Sequence, residues 1–136
     1  MPEVTTAKAV LSITALYGGV GAFIADWNAT HIYNPTWPPH AKFHNAQTMS
    51  LGAGLGLVTL AVLWGPRSPW SAARLQVATA VGSLYCASQL SALAYPGTAL
   101  IDPPSTRKGP QAYLAAGILA LHGVAYLLDR RALRRR

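Results

Sequence analysis

FHNAQTMSLGAGLGLVTLAVLWGP, residues 43–66, is a run of 24 residues without Asp, Glu, Lys or Arg. It decides the fold, because a helix that crosses a bilayer needs about 20 apolar residues, within a range of ~17–25. Three further uncharged runs flank it: 17 residues between Lys8 and Asp26, 27 between Arg74 and Asp102, and 20 between Lys108 and Asp129. Four such runs in 136 residues predict an all-α integral membrane protein, a bundle of four transmembrane helices over about 7–26, 40–64, 71–95 and 110–129. Residues 1–136 form one domain, since the chain is too short for two ordinary ones.

Composition agrees. Charged residues make up 11 % of the chain and hydrophobic ones 51 %, against roughly 25 % charged in a soluble domain. The net charge of +7 does not indicate nucleic acid, because five of the eleven basic residues lie in the terminal RRALRRR (130–136) and the others stand at helix ends. That is the pattern of topogenic charge beside a membrane. With four spans, both termini share a side with the 65–71 turn, and that side carries eight Lys and Arg against three on the other. The positive-inside rule therefore places both termini in the cytoplasm, here of a bacterial plasma membrane.

Punctuation sets the ends. Pro38-Pro39 suits the first turn of the second helix, Gly65-Pro66 ends it, Ser71 is positioned to cap the third, and Pro96-Gly97 stops that one. Gly52 and Gly56 form a GxxxG, the spacing that lets two membrane helices approach closely. The single Cys86 cannot form an intrachain disulfide.

The polar chemistry is concentrated in DWNATHIYNPTWPPHAKFHNAQ, residues 26–47. It holds three of the four His, two of the four Trp and one of the four acidic residues. His40, His44 and Gln47 follow i, i+4, i+7 spacing, which places them along one helical face. A polar face one or two turns inside a bilayer is expected to look toward the bundle interior. Asp26 and Asn28 end the first helix at the same depth, with His31 in the loop between, so Asp26, His31, His40 and His44 are expected to converge. Three roles fit such a cluster. HxxxH is half of a zinc, copper or iron site, which Asp26 or His31 would complete. Alternatively the group performs acid–base catalysis, with Asp26 as proton donor and His40 or His44 orienting it or taking the proton back. Or the side chains satisfy the loop's own backbone. Trp27 and Trp37 belong at an interface and also offer aromatic faces to a bound molecule.

Helix 3 adds Tyr85 and Gln89 toward the same end, and the substrate-contacting set becomes Trp27, Asn28, Trp37, Gln47, Tyr85 and Gln89. Asp102 reads as a turn residue, His122 as a hydrogen-bonded packing residue in the opposite leaflet, and Asp129 as an interfacial helix-end residue.

THIYNPTWPPHAKFH, residues 30–44, resembles a segment of small four-helix membrane proteins of the DoxX-like sort. In architecture the chain is similar to emopamil-binding-protein-like sterol isomerases and compact membrane terpene cyclases. Those enclose a lipophilic substrate among helices and use buried acids to move protons. Glu3 is the only Glu, and no residue role is carried over. The expected function is acid–base isomerisation or cyclisation of a lipophilic, isoprenoid-like molecule at the non-cytoplasmic end, without a cofactor. A metal-dependent membrane oxidoreductase and a non-catalytic lipid-binding or accessory subunit are the alternatives. Membrane lipid is the expected surrounding partner. Four short helices leave little room for a transport path unless the protein forms a homo-oligomer.

Overall fold

The computed structural model describes residues 4–65, 69–101 and 109–135. Among these, every regular element is helical: α1 (Thr6–Asp26), α2 (Pro39–Trp64), α3 (Ala72–Ser91), a 3₁₀ turn (Ala92–Ala94) and α4 (Gln111–Arg134). All four α-helices are long and apolar enough to cross a membrane. The predicted bounds hold within a few residues, except that α3 tightens to 3₁₀ for its last turn and α4 runs on to Arg134. Asp102, expected at a turn, lies outside the described residues.

Local chemistry explains the ends. The Thr5 hydroxyl accepts from Lys8 N–H and caps α1, and the Ser71 hydroxyl accepts from Arg74 N–H and caps α3. Proline opens α2, where a missing N–H costs nothing. Arg74 folds back and donates from Nη2 to the carbonyls of Val62 and Leu63, at 2.9 and 3.1 Å. It thereby satisfies the orphan acceptors at the C-terminus of α2.

Small residues bring α1 and α2 together. A Cβ at Gly56 would stand 2.7 Å from the Ala15 carbonyl oxygen, and one at Gly52 would stand 3.0 Å from that of Gly18. Only glycine permits this approach, as the GxxxG spacing predicted.

The core is mostly apolar, with Leu11, Leu63 and Leu75 fully buried, but it also encloses polar groups, and the outside is apolar. Thr59, His122, Lys8 and Asp129 are all buried, whereas Ile13, Leu16, Ile24, Leu57 and Val124 are exposed. The buried polar groups are mostly paired. His122 bridges α1 and α3, with Nε2 2.7 Å from the Thr14 hydroxyl and Nδ1 2.9 Å from the Ser83 hydroxyl. Asp129 corrects the expectation of an interfacial residue. Its carboxylate accepts from the Thr5 hydroxyl, from Ala7 N–H at 3.3 Å and from Trp70 Nε1 at 3.1 Å. One α4 side chain therefore secures the start of α1 and the connection into α3. The Lys8 ammonium lies 4.8 and 5.1 Å from the ring centroids of Trp64 and Trp70, within cation–π range.

Candidate functional site

Those hydrogen bonds join α1 to α4 at the Asp129 end and at mid-height. Above Thr14 a cleft of about 250 Å³ runs between α1, α3 and α4 toward the opposite end. Thr14 and Gly82 lie at its foot; Gly18, Gly21, Ala22 and Ala115 form much of its walls; Asp26, His31, Gln89 and Gln111 ring its mouth. Tyr85 also lines it, with its ring edge held against Gly52. Small side chains on α1 leave the space, and the same small residues allow α2 to pack tightly behind.

The mouth is built from Asp26 at the end of α1, His31 in the loop that follows, and their supports. Asp26 is the last residue of α1, with one fifth of its side chain exposed. Its Oδ2 accepts from Asn45 Nδ2 at 2.9 Å, which ties it to α2. His31 Nδ1 lies 3.8 Å from Asp26 Oδ1, beyond hydrogen-bond reach but inside ion-pair range when the ring is protonated. The same nitrogen is 2.7 Å from the Thr30 hydroxyl, and the ring meets Trp37 edge to face at 4.9 Å between centroids. These two contacts fix where the imidazole points. A larger hollow of about 480 Å³ beside it shares His31 and Gln111 with the cleft and is walled by Trp37, Leu100 and Ile101.

The loop's amides have another task. Asn28 Nδ2 donates to the Ala25 carbonyl at 2.6 Å, while its Oδ1 accepts from Thr30 N–H at 2.8 Å. Asn34 repeats the pattern, donating to the Thr30 carbonyl and accepting from Thr36 N–H. These are Asx-type turns that satisfy the backbone of a tight loop. Trp27 is exposed and donates from Nε1 to the Tyr33 hydroxyl at 2.5 Å.

Of the expected set, the cleft brings together Asp26, His31, Tyr85 and Gln89. Trp37 reaches only the larger hollow, and Trp27 and Asn28 line neither space. His40, His44 and Gln47 are exposed on the outer face of α2. They form a ladder of their own, His40 Nε2 to His44 Nε2 at 3.1 Å and His44 Nδ1 to Gln47 Oε1 at 3.2 Å. Among the described residues no three His, Cys, Asp or Glu side chains come together as metal ligands, so the four-residue set Asp26, His31, His40 and His44 is not assembled.

The physical reason lies in the register of α2. Its buried residues are Met49, Gly52, Gly56, Thr59 and Leu63. Continuing that stripe back by one turn gives Asn45, whereas His44 is rotated by about 100° and His40 by about 140°. Asn45, which meets Asp26, and Gln111, which lines the mouth, are among the residues that the expected set lacked. Both could have been found by extending the small-residue stripes rather than by looking for His.

Comparison with known proteins gives a family without a function. No curated protein and no solved structure matches the chain. Residues 10–136 match a family described as a Family of unknown function (DUF6640), and the chain belongs to that family.

Proposed function

We propose that the chain is a multi-pass membrane enzyme of a bacterial plasma membrane, with both termini cytoplasmic. Its cleft takes a lipophilic, isoprenoid-like molecule from the bilayer, and the Asp26–His31 pair moves a proton on it. Burial of Lys8, Asp129 and His122 beneath an apolar exterior supports the membrane setting. The excess of Lys and Arg at the Asp129 end supports the orientation.

One observation carries the chemistry: a carboxyl and an imidazole, 3.8 Å apart, share the mouth of a cleft whose walls are otherwise mostly small and apolar. Asp26 is positioned from α2 by Asn45 and His31 by Thr30 and Trp37, so the two do not depend on each other for geometry. One group delivers a proton to the bound molecule and the other removes one elsewhere on it, which shifts a double bond or closes a ring. Positioned acid–base groups typically contribute ~10²–10⁴-fold in rate. The His40–His44 pair is left out of this reading, because it faces away from the cleft.

Deuterium uptake tests the reading without knowledge of the substrate. The purified protein with its co-purified lipids is incubated in D₂O, and the lipids are extracted and weighed by mass spectrometry after back-exchange of their O–H groups. Wild type is expected to place deuterium on carbon, and Asp26→Asn to reduce that at least ~10²-fold. A folded Asp26→Asn variant with undiminished uptake would overturn the role of Asp26. Lipid that is bound but never labelled would make the protein a lipid-binding subunit.

A further inference from the structure

We propose that His40 and His44 form a two-imidazole site for a divalent transition metal, copper(II) foremost, on the outer face of α2. The site is separate from the cleft and uses neither Asp26 nor His31.

The bite of the pair is that of a chelate. His40 Nε2 and His44 Nε2 lie 3.1 Å apart, on exposed side chains one helical turn from each other. A metal bound to both at the usual ~2.0–2.1 Å would join them at an angle of about 95–100°. That lies between the right angle of a tetragonal site and the wider angle of a tetrahedral one. Spacing alone gives two histidines a shared face. The convergence of both Nε2 atoms is the further observation.

The surroundings prepare the pair for a metal. Gln47 Oε1 only accepts, so its 3.2 Å contact with His44 Nδ1 places the ring proton there and leaves His44 Nε2 with a bare lone pair. This is the outer-shell arrangement that orients metal-bound histidines. His40 now occupies the lone pair with its own Nε2–H. A metal ion takes the place of that proton, which moves to His40 Nδ1. Phe43 lies parallel to His40, with ring planes 8° apart, and meets His44 edge to face at 5.4 Å between centroids. These contacts hold the imidazoles before the ion arrives, which lowers the ordering cost of binding.

The donor atoms select the ion. Imidazole suits copper, nickel and zinc, whereas magnesium and calcium take oxygen ligands. Copper(II) binds such nitrogens the most tightly of the divalent first-row ions. No third His, Cys, Asp or Glu joins the two among the described residues, so the other positions on the metal are left to water or a small ligand. The ion has access from water in the bilayer setting proposed above. α2 has 26 residues, ~39 Å at 1.5 Å per residue, against ~30 Å of hydrocarbon. Its last residue, Trp64, is of the type that sits at a membrane interface. The surplus length therefore falls at the opposite end, where His40 and His44 stand within the first two turns.

The test titrates the untagged full chain in dodecyl maltoside with copper(II), zinc(II) and magnesium(II). Calorimetry reads affinity and stoichiometry, and electron paramagnetic resonance counts the nitrogens on copper. One copper per chain with two nitrogen donors is expected, with zinc bound more weakly and magnesium not at all. His40→Ala and His44→Ala should each lower copper affinity at least tenfold and remove one nitrogen from the spectrum. Gln47→Ala should lower it about tenfold, with the melting of the metal-free protein unchanged, and His31→Ala should leave copper binding as in wild type. Full affinity in Gln47→Ala would overturn the part given to Gln47. Undiminished affinity in the double variant His40→Ala/His44→Ala, or a loss in His31→Ala, would overturn the site. So would several weakly held ions indifferent to both histidines, which are adventitious ions only, or no copper at all. One copper per two chains would overturn the single-chain site in favour of a contact between copies. The cleft is tested apart from all of these, since deuterium uptake is read without added metal.

Discussion

The two ends of the bundle carry the same kinds of residue and use them in opposite ways. At one end Asp129 is buried, accepts from three donors on α1 and the connection into α3, and sits beside a lysine enclosed by two tryptophans. At the other, Asp26 accepts one amide, faces an imidazole too distant for a hydrogen bond, and opens onto a cleft. A carboxylate whose donors are all supplied by the fold is a structural part. One that the fold positions but leaves partly unengaged has capacity for a ligand. Asp129 holds α1 and α4 together, and the cleft opens above the level where their hydrogen bonds stop.

Removing Asp129 is the strongest way to break this contrast. Asp129→Ala strands the Thr5 hydroxyl, Ala7 N–H and Trp70 Nε1 in a buried setting, at about 3–5 kcal/mol in total. Asp26→Asn loses almost nothing, because the new amide carbonyl can still accept from Asn45. Thermal unfolding in detergent, followed by circular dichroism, should rank Asp129→Ala far below wild type and Asp26→Asn beside it. Comparable melting of the two variants would erase the distinction between the ends.

The second effect concerns the seam behind the cleft. Gly56→Leu must push its side chain into the Ala15 carbonyl, already 2.7 Å from an ideal Cβ. Overpacking of this kind costs typically ~1–3 kcal/mol. Gly18→Leu, on the neighbouring helix and with free space at its Cβ, should leave the melting temperature within experimental error. The pair separates glycines that serve packing from glycines that make room. An equal loss in both would mean that the cleft closes on itself.

A smaller effect is expected midway between the ends. His122→Leu keeps the bulk and removes the bridge to Thr14 and Ser83. Both hydroxyls can turn to carbonyls of their own helices, as Thr14 already does. Interhelical hydrogen bonds in membranes average ~0.6 kcal/mol and reach ~1.7, so the loss should stay near 1–2 kcal/mol. A collapse like that of Asp129→Ala would instead make His122 a second structural anchor.

How much of this was legible in the sequence depends on which periodicity is consulted. Uncharged runs fix the helices, and Gly52 with Gly56 fixes the α1–α2 seam, because both depend on one helix at a time. The buried polar residues of α4 were also within reach. Gln111, Ala115, Ile118, His122, Ala125 and Asp129 follow one alternating four-and-three spacing, which is a single helical face. Read as one face, they would have placed Asp129 inside the bundle. Which loop groups satisfy the backbone was not legible. Asn28 looks like a site residue until its partners are known to be the turn it sits in, as those of Asn34 are.

The smallest effect tests the most conspicuous sequence feature. His40 and His44 were expected in the site because of their spacing, but spacing says only that two residues share a face, not which face is turned inward. The inward face of α2 is set by Met49, Gly52 and Gly56 and extended by Asn45. The two histidines are exposed, bond to each other, His44 also to Gln47, and neither lines the cleft. Surface substitutions away from such features usually stay within about ±0.5 kcal/mol. The double variant His40→Ala/His44→Ala should therefore melt with wild type, retain the co-purified lipid and keep its rate of deuterium uptake. Asn45→Ala, one residue away, should slow that uptake by freeing Asp26 to change rotamer, with little change in the amount of lipid bound. If the histidine variant loses uptake and the Asn45 variant does not, the outer face of α2 is the working one and the cleft is not the site.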